Sequence, residues 1–397
     1  MRPATVEIPA LTGIRAVAAF MVFLRHYPLF SPNSSIEIFL ANLCNEFHTG
    51  VTLFFVLSGF LLAHLYYDVA TIKKSFLQHF YERRVVRIYP IFLLLSVAAL
   101  VYGLVNQTTA GGGSVKEFLW SVTFIKAFSQ QTFFYGIPSS WSLTVEMCFY
   151  LVCPFIFVGM KRLGAVTEQV ILFLLIGFLL VQLNIEAGGV VFFESRQFVL
   201  SSTFFGRSFE FFAGILAALY CRKIVAATTF PKFTLAAIAA LIFIYAGMAV
   251  ATAYFNVPAS FETLPGVVVQ NYILPIPFAF LLIGLVTERS RVQQLLASRI
   301  MVVLGKASYC FYLLHVSFVA DLAWGLIKTG NHILNMAIGF IVLNLFSVLI
   351  FYMIEQPLHH WLHHARLQRW GMQLQILGLR CSFFVKNLLG RKPQLNN

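Results

Sequence analysis

Charge is scarce in this chain. Asp, Glu, Lys and Arg make up only 11% of its 397 residues, against about 25% in soluble domains. That excludes an ordinary water-soluble globular enzyme. Cysteine is also sparse: six residues and no CxxC pair. This excludes a disulfide framework, and the cysteines read as small apolar packers, mostly in or beside apolar stretches, with Cys44 alone in an outer loop. No internal repeat is evident, and no appended soluble domain is expected.

What is abundant is apolar. Hydrophobic residues make up 59% of the chain, and Phe alone contributes 43. About 20 apolar residues of helix cross a bilayer core of roughly 30 Å. Ten such stretches are expected, near 11–30, 48–67, 88–105, 141–160, 169–185, 207–221, 233–253, 268–287, 305–326 and 336–354. The fold class is therefore all-α and polytopic, with about ten transmembrane helices.

The net charge of +13 invites a nucleic-acid reading, but its distribution argues otherwise. With both termini cytoplasmic, 21 of the 28 Lys and Arg residues fall on the cytoplasmic side and 5 outside. Arg15 and Arg25 lie within the first span. The positive-inside rule thus accounts for the basic charge without nucleic acid. The expected location is a bacterial inner membrane.

The scarce charges mark candidate sites, because ionisable groups are costly in hydrocarbon and rare there. Arg15 and His26 share the first span. Eleven residues at about 100° each bring them back to one helix face, roughly 16.5 Å apart along the axis. One face then carries a cation at one depth and a proton-transfer group at another. Glu146, near the outer end of the fourth stretch, is expected level with His26, where a carboxylate could orient the imidazole and stabilise its charged form. Arg207, Glu210 and Asp321 map to the outer third, as a polar cavity wall or as mutual partners. Arg25 points about 100° away from His26 and is expected to snorkel. On the inner side, Arg84 and Arg87 share a helix face. Two guanidiniums there suit phosphate groups, although positive-inside bias alone would give the same pattern.

Two segments lie outside this frame. In the long outer segment 106–140, the apolar run Leu119–Phe134 is expected to be an interfacial or re-entrant helix over the outer site. Two domains are expected, a transmembrane domain over 1–355 and a basic, amphipathic cytoplasmic tail over 356–397. The tail should lie on the membrane surface. Its His359, His360, His363 and His364 have helical metal-ligand spacing, but a solvated interface face is the plainer reading, and no metal is expected.

Six stretches then resemble the integral membrane acyltransferase-3 family, across about residues 7–357. They are Pro9-Ala10-Leu11-Thr12-Gly13-Ile14-Arg15 leading to His26; Gly50 to Phe60; Arg84-Val85-Val86-Arg87-Ile88-Tyr89-Pro90; Trp141 to Glu146 with Phe149-Tyr150-Leu151; Leu304 to Tyr309 with Tyr312-Leu313-Leu314-His315; and Glu355-Gln356-Pro357. No single motif is decisive, but six in order are specific. The resemblance implies a ten-helix O-acyltransferase. Such a protein moves an acyl group, most often acetyl, from cytoplasmic acyl-CoA to hydroxyls of cell-envelope or exported glycans. It implies His26 as the catalytic histidine and Arg15, Arg84 and Arg87 as donor-handling arginines. Thr52 is a departure, since members often carry Asp there. The competing readings are a secondary transporter of an anionic substrate, which would also place charges inside spans, and a membrane scaffold, which leaves Arg15 and His26 unexplained.

Overall fold

The computed structural model describes residues 8–28, 34–106, 114–163, 166–223 and 232–358. The chain divides into two units, Met1–Phe351 and Tyr352–Asn397. Of the second, the described residues are 352–358, so the expected amphipathic tail and its four histidines lie outside the described residues.

The first unit is built from helices. They are α1 (Pro9–His26), α2 (Ser35–Asn45), α3 (Gly50–Tyr66), α4 (Lys74–Asn106), α5 (Val115–Val122), α6 (Trp141–Leu163), α7 (Val166–Gln182), α8 (Arg196–Ser202) and α9 (Phe204–Cys221). There follow α10 (Lys232–Phe255), α11 (Leu264–Val268), α12 (Pro275–Thr287), α13 (Arg291–Leu296), α14 (Arg299–Leu314), α15 (Phe318–Leu326) and α16 (His332–Ile350). A two-residue antiparallel pairing, Glu186–Ala187 with Val190–Val191, is the sheet among the described residues.

Among the described residues, seven helical segments are long and apolar enough to cross a membrane, and a bent pair makes up to eight. This is a polytopic helical membrane protein. The expected count of ten is not reached by these segments, from which α1 is absent and α7 is too short, and two regions differ in form. The stretch 305–326 is not one helix: α14 and α15 meet at a 90° bend. The break falls at His315-Val316-Ser317, where Ser317 caps α15 by accepting from the Val319 N–H. The segment before the second span is also not a loop. It forms α2, N-capped by Ser34, and buries Cys44 within it.

Two helix pairs carry the centre of the bundle, α1 with α14 and α3 with α9. Both approach closely because glycine offers no Cβ. A Cβ on Gly305 of α14 would strike the Thr12 carbonyl oxygen of α1, and one on Gly214 of α9 would strike the Val56 carbonyl oxygen of α3. With hydrocarbon on the outside, such close packing and interhelical polar contacts replace the hydrophobic drive of a soluble core. The first pairing sets His26 beside the end of α14. The second sets the inner face of α3 against α9 and α6.

Candidate active site

α1 runs unbroken from Pro9 to His26, so Arg15 and His26 keep their shared face. Arg15 is half-buried. His26 is the last residue of the helix, and its side chain is exposed. Its ring lies 5.3 Å from that of His315, centroid to centroid, at 60°. His315 is fully buried at the break after α14. Its Nδ1 is 2.7 Å from the Tyr312 carbonyl oxygen, and Tyr27 donates its hydroxyl to the His315 carbonyl at 2.7 Å. Phe311 stacks on the His315 ring, 8° from parallel. The Tyr312 hydroxyl lies 2.7 Å from Ser142 Oγ, which ties α6 into the same group.

Glu146 is not part of that group. Among the described residues no hydrogen bond joins it to His26. It accepts from Ser58 of α3 at 2.9 Å and from Tyr150, one turn along its own helix. α1 ends at His26 and α6 begins at Trp141. Ser142, one turn before Glu146 on α6, is the residue that reaches the α14 end of this group, through Tyr312.

The inner group gathers around Tyr150. Arg84 is buried, its guanidinium 5.6 Å from the Tyr66 ring centroid and 5.7 Å from that of Tyr150. Its Nη2 donates to Tyr66 Oη at 3.5 Å, whereas its Nε has no partner among the described residues. Arg87 is half-buried and lies one turn after Arg84 on α4. Arg84 and Arg87 are thus brought together, and Glu146 joins them through Tyr150. Tyr66, Tyr150, Ser58 and His315 were missed as site residues by sequence reasoning. The i, i+4 spacing of Glu146 and Tyr150 on one helix face was the available signal. For His315 it was a polar His-Val-Ser interrupting an apolar stretch.

Other charges are structural pins. Arg207 and Glu210 pair with each other, at 2.8 Å and 3.1 Å, both buried. Thr52 completes the triangle, accepting from Arg207 at 3.0 Å and donating to Glu210 at 3.0 Å. The Arg207 guanidinium sits over Phe55 and Trp141. A buried charge persists when paired and fully hydrogen-bonded, and here it joins α9 to α3 and α6. Asp321 stays apart, exposed on α15. Arg25 donates to Asn45 of α2 at 3.3 Å.

The outer segment is not one helix. α5 ends at Val122, Phe124 takes a left-handed φ of 62°, and a 3-10 turn follows over Ile125–Phe128. The cause is Lys126, fully buried, whose ammonium donates to the carbonyls of Tyr135 and Ile137. Desolvation pushes this lysine, outside the spans, down to about 7. Glu194 gathers the next turn, accepting from Ser129 and from the Gln130 N–H. The Tyr89 hydroxyl bonds the Val122 carbonyl and Thr144 bonds that of Phe124, seating the segment on α4 and α6. Among the described residues, no group of three or more His, Cys, Asp or Glu is arranged to hold a metal.

A bundle of apolar helices with an accessible histidine at one level and buried arginines at another defines a membrane-embedded polar site. Residues 8–355 match the acyltransferase-3 domain, described as an acyltransferase domain, and the chain belongs to that family. It is 26% identical over 370 residues to "Putative peptidoglycan O-acetyltransferase YrhL" of Bacillus subtilis, covering 88% of this chain and 55% of that protein. It is 31% identical over 160 residues to "Acyltransferase MdmB" of Streptomyces mycarofaciens, covering 39% and 40%. It is 26% identical over 166 residues to "Peptidoglycan O-acetyltransferase OatA" of Listeria monocytogenes, covering 39% and 25%. The chain thus spans about half or less of the length of these relatives. No solved structure matches. The protein is a multi-pass membrane member of the acyltransferase-3 family.

Proposed function

We propose that this protein transfers an acyl group, acetyl in the first instance, from cytoplasmic acyl-CoA to a hydroxyl of a cell-envelope or exported glycan, across a bacterial inner membrane. The observation that carries this reading is the separation of two unlike groups along one bundle. An exposed histidine stands at the end of α1, and a buried arginine with an unpartnered Nε stands among tyrosines further in.

In this reading Arg84 and Arg87 hold the donor's phosphates, because guanidiniums match phosphate oxygens bidentately, and Arg15 lies along the path between the two levels. His26 acts as general base. It takes the proton of the acceptor hydroxyl as that oxygen bonds to the acyl carbon. The carbon–sulfur bond breaks, and the protonated His26 returns its proton to the thiolate, releasing free thiol. Glu146 holds Tyr150 and Ser58 in the inner half, beside the arginines.

Purified protein should consume acetyl-CoA only when a glycan hydroxyl acceptor is present. Glycan acetylation should fall in cells lacking the gene. Stable acetyl-CoA, together with uptake of a labelled anion by proteoliposomes, would replace this reading with a transporter.

A further inference from the structure

His315 has no part in the reaction as written above, yet its ring lies beside that of the proposed base. It is completely buried, and its Nδ1 faces a backbone carbonyl at 2.7 Å. A carbonyl oxygen only accepts, so Nδ1 carries the hydrogen and a neutral His315 presents Nε2 as an acceptor. That Nε2 is buried without a hydrogen-bond partner among the described residues. A buried acceptor left unmatched costs about 1–3 kcal/mol, so such an atom calls for a donor. Phe311 and Tyr312 flank the ring, and the Tyr27 hydroxyl holds the residue's backbone carbonyl. The polar ring beside it is His26, with centroids 5.3 Å apart. An imidazole N–H···N bond of about 3 Å puts two ring centroids at this order of separation. The His26 ring is exposed and so free to turn toward it.

We infer that His315 is the positioning residue for His26: its Nε2 accepts the N–H of one His26 nitrogen and leaves the other nitrogen's lone pair facing the acceptor hydroxyl. This rests on His26 being the base. The arrangement does with a neutral imidazole what a carboxylate does in a Ser-His-Asp triad, which is to fix tautomer and orientation. A neutral partner suits the place, because His315 is walled by aromatic rings and a buried carboxylate there would need further donors. When His26 takes the hydroxyl proton it becomes an imidazolium with two N–H groups. One stays on His315 Nε2 and the other returns its proton to the thiolate. The break in the helix is what makes this possible. His315 caps the end of α14, beside the end of α1, where the chain turns by 90° into α15.

The test compares two polar replacements that keep different halves of the ring. His315→Gln places an amide oxygen near the Nε2 position, and His315→Asn keeps only the contact at Nδ1. With acetyl-CoA and glycan acceptor, kcat should stay within about 10-fold for His315→Gln. It should fall about 10²-fold or more for His315→Asn, a share of what a general base supplies. KM for acetyl-CoA should hold in both. Equal kcat values, or the reverse order, would overturn the assignment, and so would a loss confined to KM. The same substitutions in a His26→Ala background separate positioning from folding. If His315 acts through His26, His315→Asn should cost nothing further there; losses that multiply would make it a structural residue. A His26→Ala protein that keeps its activity would instead remove the base itself, and this inference with it.

Discussion

The two polar levels of this bundle are built in opposite ways. At the level proposed to face outward His26 is exposed at a helix end and its neighbour His315 is buried with an unmatched nitrogen. In the proposed reaction this leaves hydrogen-bonding capacity open where an acceptor hydroxyl would come and go. At the inner level Arg84 is enclosed by Tyr66 and Tyr150, and Glu146 is taken up by Ser58 and Tyr150. Here the network is nearly closed, with the Arg84 Nε left over. A site that moves protons needs an accessible, lightly held ring. A site that grips a polyanion needs guanidiniums whose orientation is already fixed, so that little freedom is lost on binding.

The comparison is broken most completely by sidedness. With the six native cysteines replaced, a single cysteine at Lys116 and another at Lys74, both exposed, are expected to differ outright. An impermeant thiol reagent on intact cells should label the first and spare the second. Labelling of the Lys74 site alone would invert the topology and detach the donor from the cytoplasm.

Next in size is His26→Ala. Removal of a general base commonly costs about 10²–10⁴ in rate, and the variant should still insert and purify. Near-normal acetylation by a well-expressed His26→Ala protein would leave the outer level without its chemistry.

The arginines should act on binding rather than on chemistry. Arg→Lys keeps the charge and loses the fork. The double variant Arg84→Lys/Arg87→Lys is therefore expected to raise KM for acetyl-CoA about 10-fold, with kcat little changed. This corresponds to one charged hydrogen bond of about 1.5 kcal/mol. An unchanged KM would reduce both residues to topological signals.

Glu146→Gln should have the mildest effect, several-fold, because an amide oxygen still accepts from Ser58 and Tyr150. It sharpens the comparison by where the loss appears. A rise in KM for acetyl-CoA keeps Glu146 with the arginines. A fall in kcat alone would move it to the histidines, against its hydrogen bonds.

Much of this was legible in the chain. The expected Arg15–His26 face needed only helical periodicity, and α1 supplies an unbroken helix across it. The Arg84–Arg87 pair likewise follows from local spacing. For Glu146 the spacing along one helix could not say which residues of other helices it would meet, and its hydrogen bonds go to Ser58 and Tyr150. The Arg207–Glu210 pairing was open between two readings, and it was the Thr52 hydroxyl of another helix, together with Phe55 and Trp141, that closed it. The long outer segment looked like one helix by composition, but a buried Lys126 satisfying two carbonyls imposed a turn.

The sequence by itself determined the membrane class, the helical segments and the residues too costly to be there by chance. Each of these follows from a rule acting along the chain: the price of charge in hydrocarbon, the length of a span and the 3.6-residue period. Only the tertiary structure decided that α14 breaks at His315, that His315 rather than Glu146 stands against His26, and that Glu146 belongs with Ser58 and Tyr150. Those outcomes depend on how far one helix slides along another. That register is set by close contacts such as Gly305 on Thr12 and Gly214 on Val56, between segments whose spacing in sequence carries no information about their relative depth.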